Sequence, residues 1–318
     1  MRKIIVTILS LVLALAVVIP AVGCGPQAKE VTVGNKNFTE QYIAGEMMKQ
    51  LLEDRGFTVN LVADISSMAL RAGMEAGDID ICTEYTGTAW MTHLAHVYET
   101  GVGNNELYEM VKDEEEGNGF VWLDPIWNNN AYVLVSWQEF TEAHNISTLS
   151  DLAALYQAED GEIETFIDFE FTTRPDGLPA LEDHYGFEVA EASLMTGAPG
   201  ASLMGLENHQ CEVAMAFGTD AKIAECGWHV YTDDQNFFPP YDLTPCVRAE
   251  VLDEYPEIGD ILNELVATFP GGGETATSEA VAQGQAAWQA LNAKVDIDNM
   301  EPEEVAQEYL LDHDLISE

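Results

Sequence analysis

The chain has 318 residues, enough for two domains that each bury a core, and 47% of them are hydrophobic, so it is globular rather than disordered. Against 56 acidic residues stand 12 lysines and arginines, a net charge of −44. A surface this acidic repels nucleic acid and anionic lipid headgroups, and it reads either as a strongly solvated exterior or as adaptation to high salt.

Residues 1–23, MRKIIVTILSLVLALAVVIPAVG, place Arg2 and Lys3 before an apolar stretch from Ile4 to Val22 and end on small residues. That order describes a secretory signal peptide. The AVGC ending resembles a lipobox, the site at which bacterial lipoproteins are cleaved before an acylated cysteine, here Cys24. An uncleaved membrane anchor is the alternative. Both readings put the working protein outside the cytoplasm and hold it at a membrane.

From Lys29 onward, short strands alternate with helices. Val31–Val33 predicts a strand, residues 34–37 a loop carrying Lys36, and Thr39 a helix N-cap. Ile43, Met47, Met48, Leu51 and Leu52 recur at helical spacing until Gly56. FTVNLVAD is a second strand, SSMALRAGMEAG a second helix and IDICTEY a third strand. This β-α-β-α-β opening predicts a mostly parallel sheet, whose ligands lie beyond the carboxyl ends of its strands. Lys36, Glu84 and Tyr85 fall there. KDEEEGNG, at 112–119, reads as a solvated helix end.

A second unit begins after Pro125. AYVLVSW is a strand, STLSDLAALYQ a helix capped by Ser147 or Ser150, and ETFIDFEF another strand. Val213–Phe217 is a buried strand, followed by a helix opened by Thr219 and Asp220. Pro239 and Pro240 break regular structure and suit a crossing between two lobes. The remainder is helical, with a loop at PGGGE and a final helix at PEEVAQEYLLDH.

No GxSxG, HExxH or GxxxxGK[ST] motif occurs, so no catalytic constellation announces itself. The 56 acids are too many for any pair of carboxylates to stand out. His93 and His96, in MTHLAHV, could share a helix face as metal ligands, but no third ligand is placed near them and no CxxC occurs. No metal and no cofactor are therefore expected. Aromatic residues at strand ends and junctions are the notable feature: Tyr85, Tyr132, Phe217 and Tyr241. Singly such rings are ordinary core; together at one sheet edge they can box a desolvated cation, each face worth about 0.5–2 kcal/mol.

VGNKNFTEQYIAGEMMKQLLEDRGFTVNL, GDIDICTEYTGT, NNNAYVL, RPDGLPAL and FFPPYDLTPCVR, in that order, closely resemble the substrate-binding proteins of ABC importers for glycine betaine, choline and related quaternary amines. The resemblance runs from about Val31 to the C-terminus. It implies a type II periplasmic-binding-protein fold, two α/β lobes with the ligand in the cleft, and crossings near Asn130 and Gln235. Residues 24–130 with 236–318 would then form lobe one, and 131–235 lobe two. It also implies that Tyr85, Tyr132, Phe217 and Tyr241 surround an ammonium group, and that Lys36 and Arg174 lie near the carboxylate of a betaine, which arginine can grip with two parallel bonds. Phe217 stands where tyrosine is usual, Thr83 replaces a frequent proline, TDA at 219–221 replaces TDG, and Asn130 sits where some members carry an aspartate that helps hold the cation.

Within that two-lobe arrangement Cys82 is expected to pair with Cys246 and Cys211 with Cys226, an even set suited to an oxidising compartment. The implied function is that of a monomeric receptor, lipid-anchored at Cys24, that closes around a quaternary-ammonium osmolyte, glycine betaine first, and presents it to a permease driven by an ATPase. A receptor for choline, carnitine or another compatible solute is the nearer alternative. A secreted hydrolase on the same scaffold is the alternative of another class, and it would need a nucleophile or metal set.

Overall fold

The computed structural model of the chain describes residues 29–317. The signal segment and Cys24 lie outside the described residues. Among those described, no helix is long and apolar enough to cross a membrane.

Two five-stranded sheets organise the described residues. Strands β1 (Lys29–Lys36), β2 (Phe57–Ile65), β3 (Ile81–Tyr85) and β4 (Phe120–Trp122) belong to the first. The chain then crosses to β5 (Tyr132–Ser136), β6 (Thr165–Asp168), β7 (Leu194–Gly197), β8 (Val213–Phe217) and β9 (His229–Val230), which form the second, and β10 (Leu243–Arg248) returns to the first. The orders are β2-β1-β3-β10-β4 and β7-β6-β8-β5-β9. In the first sheet β1 runs parallel to β2 and β3, while the returning β10 is antiparallel to β3 and β4. In the second, β5, the first strand after the crossing, is antiparallel to β8 and β9, and β6 is parallel to β7 and β8.

Helical connections bury one face each on these sheets. In α1 (Thr39–Asp54) the periodic residues Ile43, Met47, Met48, Leu51 and Leu52 are all buried, as the spacing requires. Fully burying side chains of this size stabilises the fold by about 1.5–3 kcal/mol apiece, and Leu51→Ala would cost about 2–5 kcal/mol. Helix α2 (Ser67–Ala76) starts where the Ser66 hydroxyl accepts the Ala69 N–H and stops at Gly77, whose φ of 78° a side chain would strain. Helix α3 (Asn104–Gly117) ends in the acidic run read as solvated, yet its Glu115 is fully buried and accepts a bond from Arg71 Nη1 at 2.6 Å. Helix α4 (Leu149–Ala158) is capped by Thr148 in a reciprocal box with Asp151, between the two serines expected from sequence. The long helix α5 (Ser278–Asp296) reaches the second lobe: Gln285 and Gln289 donate to the Gly218 carbonyl at 2.9 and 3.0 Å, and Asn292 donates to that of Thr219 at 3.0 Å.

The two crossings run side by side. Ile126 N–H bonds the Leu243 carbonyl and Asn130 N–H that of Tyr241, both at 2.8 Å. The side chains of Asn128 and Asn129 return bonds to Leu243 N–H and Tyr241 N–H at 3.0 Å each. Gly87 of the EYTGT motif is the contact point beneath them. A Cβ there would sit 2.8 Å from the Tyr241 ring and 2.9 Å from the Pro240 carbonyl oxygen, so only glycine allows the approach.

The structure overturns the expected disulfides: Cys82, Cys246, Cys211 and Cys226 are all free thiols. Cys82 and Cys246 lie directly opposite each other on β3 and β10, as side-by-side packing groups in the cluster that holds Phe120 and Trp122. Cys211 is buried and Cys226 partly buried in the cluster around Trp228. In both places sulfur packs as a small apolar group, which needs no cross-link.

Candidate ligand-binding site

One cavity lies between the lobes, at the ends of β1 and β3 on one side and of β6 and β8 on the other. Every ligand-contact residue expected from sequence lines it: Lys36, Tyr85, Asn130, Tyr132, Arg174, Phe217 and Tyr241. The structure adds Phe38, Asp168 and Glu170 to the wall.

The rings form a chain around the space. Phe38 stacks on Phe217 with centroids 4.9 Å apart and lies 6.2 Å from Tyr85. Phe217 is 5.2 Å from Tyr132, its partner across β5 and β8, and Tyr132 meets Tyr241 edge-on at 5.9 Å. Strand pairing and the proline-held crossing thus bring five rings, from both lobes and the crossing, to one point.

The phenols are braced by buried polar groups. Tyr85 OH donates to Glu40 Oε1 at 2.7 Å and accepts from Gln41 Nε2 at 3.1 Å. Glu40, in the first turn of α1, also accepts from Asn128 and Asn130 at 3.1 and 3.2 Å, and Asn130 Oδ1 takes the Thr219 N–H at 3.3 Å. Burial pushes the Glu40 carboxyl up to about 7 against the pull of these bonds. Burial and the neighbouring Glu40 charge push the Tyr85 phenol well above its ordinary range. Asp220, expected at a helix start, instead accepts the Phe217 N–H at 2.7 Å, and burial raises it to about 7.

Both cations are paired. Lys36, the last residue of β1, bonds Glu84, and its Nζ lies 5.0 Å from the Tyr85 ring centroid. Glu84 also accepts His93 Nε2 and Tyr85 N–H, at 2.9 and 2.8 Å. Burial works to raise Glu84, but Lys36 and His93 outweigh it and bring the carboxyl down to about 2. His93 therefore supports the site from behind, while His96 pairs with Glu114 at 2.8 Å, so the two histidines are not brought together. Among the described residues no group of acids, cysteines and histidines is arranged to hold a metal.

Arg174 donates through Nε and Nη2 to the two oxygens of Asp176, each at 2.7 Å, and through Nη2 to Thr88 Oγ1 at 3.2 Å. Its carbon Cζ lies 5.2 Å from the Tyr132 ring centroid. Asp176 accepts Tyr241 OH as well. One edge of the guanidinium is thus committed within the protein, while Nη1 lies 3.8 Å from Glu170 and makes no hydrogen bond among the described residues. The RPDG turn that sets this geometry depends on Gly177, where a Cβ would come within 2.2 Å of the Phe171 carbonyl oxygen.

The lobes are drawn together around this cavity. Glu170 of the second accepts the Ser67 N–H and hydroxyl of the first, both at 2.9 Å, at the N-terminus of α2. The Arg174–Thr88 and Phe38–Phe217 contacts join them as well.

Paired crossings, twin α/β sheets and an aromatic, polar-rimmed cleft define a bilobed solute receptor. The chain belongs to the family of substrate-binding domains of ABC-type glycine betaine transport systems, which matches residues 29–312. It is 33% identical over 297 residues to the glycine-betaine-binding protein of Pseudomonas aeruginosa, covering 92% of this chain and 90% of that one. It is 30% identical to the glycine betaine-binding protein YehZ of Escherichia coli, with 95% of each chain covered. A solved glycine betaine/carnitine/choline ABC transporter chain superposes with a TM-score of 0.67 at 23% identity, over 90% of this chain and all of the other, and shares the fold. The fold is the type II periplasmic-binding-protein fold. Proteins of this family are the extracytoplasmic binding components of ABC importers for quaternary amines; they serve a permease and its ATPase, and they are not enzymes.

Proposed function

We propose that this protein captures a quaternary-ammonium solute, glycine betaine first, inside the ring of Phe38, Tyr85, Tyr132, Phe217 and Tyr241, and hands it to its permease. The observation that carries the reading is the convergence of five rings on one interlobe cavity. Such faces attract a desolvated cation, and methylated ammonium groups, which donate no hydrogen bonds, fit apolar walls. The buried Glu40 carboxylate, accepting the Tyr85 hydroxyl, adds negative potential behind the cage. Lys36 and Arg174 Nη1 are the groups that would meet a betaine carboxylate. Closure moves the lobes, 24–130 with 236–318 and 131–235, about the paired crossings; no bond is made or broken.

Choline is the second reading, favoured by the commitment of the Arg174 fork to Asp176 and by the carboxylates in the wall. Calorimetric titration with glycine betaine, proline betaine, carnitine, choline and ectoine tests the assignment. Heat from ectoine alone, which lacks a quaternary nitrogen, would overturn it. The protein acts as a monomer held at the membrane by an acylated Cys24, which a diacylglyceryl-modified N-terminal peptide in mass spectra would reveal and an intact peptide through Met1 would refute.

A further inference from the structure

Asp168 ends β6 in the cavity wall. It is 3% exposed, and its Oδ1 takes the Phe171 N–H at 2.7 Å, which fixes the direction of the carboxylate. The other charges in the wall have partners. Lys36 holds Glu84, Arg174 holds Asp176, and Glu170 is met by the Ser67 N–H and hydroxyl. Arg174 turns its fork to Asp176 rather than Asp168, so Asp168 is the carboxylate of the wall without an ion pair among the described residues.

We propose that Asp168 tunes ligand specificity at the end of the ligand remote from the ammonium group, favouring a hydroxyl there and opposing the pull of Lys36 and Arg174 Nη1 on a carboxylate. This deepens the quaternary-ammonium reading and rests on it. A like charge brought beside a buried carboxylate that has no ion pair is repelled, whereas a hydroxyl donates a charge-assisted bond to it. Burial pushes the Asp168 carboxyl up to about 6, with Glu170 adding to the rise and the Phe171 N–H and Arg174 opposing it. The charged and titratable groups around it are Glu170 and Arg174 of the following turn and Tyr132 of β5, with Lys36, Tyr85 and Tyr241 elsewhere in the cavity wall. As pH falls through about 6, Asp168 gains a proton it can donate to a carboxylate, and the discrimination relaxes.

The test is titration of tetramethylammonium, choline and glycine betaine into the wild-type chain and Asp168→Asn at pH 7.5 and one salt concentration. Asparagine keeps the Oδ1 that accepts the Phe171 N–H. The ratio of betaine affinity to choline affinity should rise about tenfold in the variant, because the ammonium end is common to both ligands and cancels. A ratio within threefold of wild type overturns the proposal. Should the variant not fold, the wild-type ratio at pH 5 against pH 7.5 decides: a rise of about fivefold at pH 5 is expected, and a flat ratio overturns it. Tetramethylammonium separates the two levels. If none of the three ligands binds, the cage reading and this proposal fall together; if all bind with an unchanged ratio, only this proposal falls.

Discussion

Replacing Glu40 by glutamine should make the ligand-free protein more stable at alkaline pH while weakening its hold on a cation. Glu40 is 1% exposed, and burial lifts its carboxyl from an ordinary 4.5 to about 7 despite bonds from Tyr85, Asn128 and Asn130. For an acid whose folded pKa is raised, the unfolded chain loses its proton first. Stability therefore declines as pH climbs from 4.5 to 7, and the penalty is fully present above 7. A rise of that size corresponds to about 3 kcal/mol. Glutamine keeps an oxygen for the three donors and never ionises, so Glu40→Gln should gain about 1–3 kcal/mol at pH 8 and nothing at pH 4.5. The rise of Asp220 to about 7, to which the Glu40 charge contributes after burial and Asp296, should ease in the variant. Urea unfolding of both proteins at pH 4.5, 6 and 8 measures the slope, and titration of tetramethylammonium at pH 8 should show about three- to tenfold weaker binding. Identical pH slopes would refute the reasoning, since they would mean that Glu40 carries no unusual proton in the folded state.

Alanine at Tyr85, Tyr132, Phe217 or Tyr241 should each weaken quaternary-amine binding by about 1–2 kcal/mol, five- to thirtyfold, with Phe217→Tyr tolerated; unchanged affinity in two of the four would make these rings ordinary core. Glu170→Ala removes both bonds to Ser67, so ligand-loaded protein should scatter X-rays as a more open particle, and all quaternary amines should bind about tenfold more weakly with their order preserved. Glu84→Ala leaves Lys36 buried without its counter-charge and should cost about 3–5 kcal/mol at pH 7. Because the Glu84 carboxyl is held down at about 2, its contribution is present above 4.5 and lost as pH falls through 2, so the variant's deficit in denaturant melts should shrink across that window.

How much of this was legible follows from which signals are local. The two sheets could be read from alternating apolar strands and capped helices, because each signal lies within a dozen residues. The four rings could be found because strand ends point at ligands in α/β sheets, and Tyr132 and Phe217 turn out to be direct partners across β5 and β8. Phe38 follows β1 by two residues, inside a motif whose lysine carries the obvious charge signal, and only the fold shows its ring stacked on Phe217. Asp168, Glu170 and Asp176 were hidden for a different reason: among 56 acids, no single carboxylate carries information until the fold shows which ones are buried. Reading ETFIDFEF as one strand also obscured them, since β6 stops at Asp168 and turns its next residues into the cleft wall. The engagement of Arg174 by Asp176 depends on the RPDG turn closing on itself, which residue spacing does not reveal. The even cysteine count suggested cross-links, but opposition on adjacent strands is equally the geometry of two packed thiols.

The central claim is that the ring cage recognises positive charge on a methylated nitrogen, and one comparison tests it most directly. Glycine betaine and 3,3-dimethylbutanoate have the same shape and the same carboxylate, and they differ in a quaternary nitrogen against a quaternary carbon. Calorimetric titration of both into the mature protein at one pH and salt should find the neutral-headed compound bound about a hundredfold more weakly or more, since several ring faces each lose about 0.5–2 kcal/mol of attraction. Equal affinities would show that the rings offer only an apolar pocket, and would contradict the assignment of a cation cage.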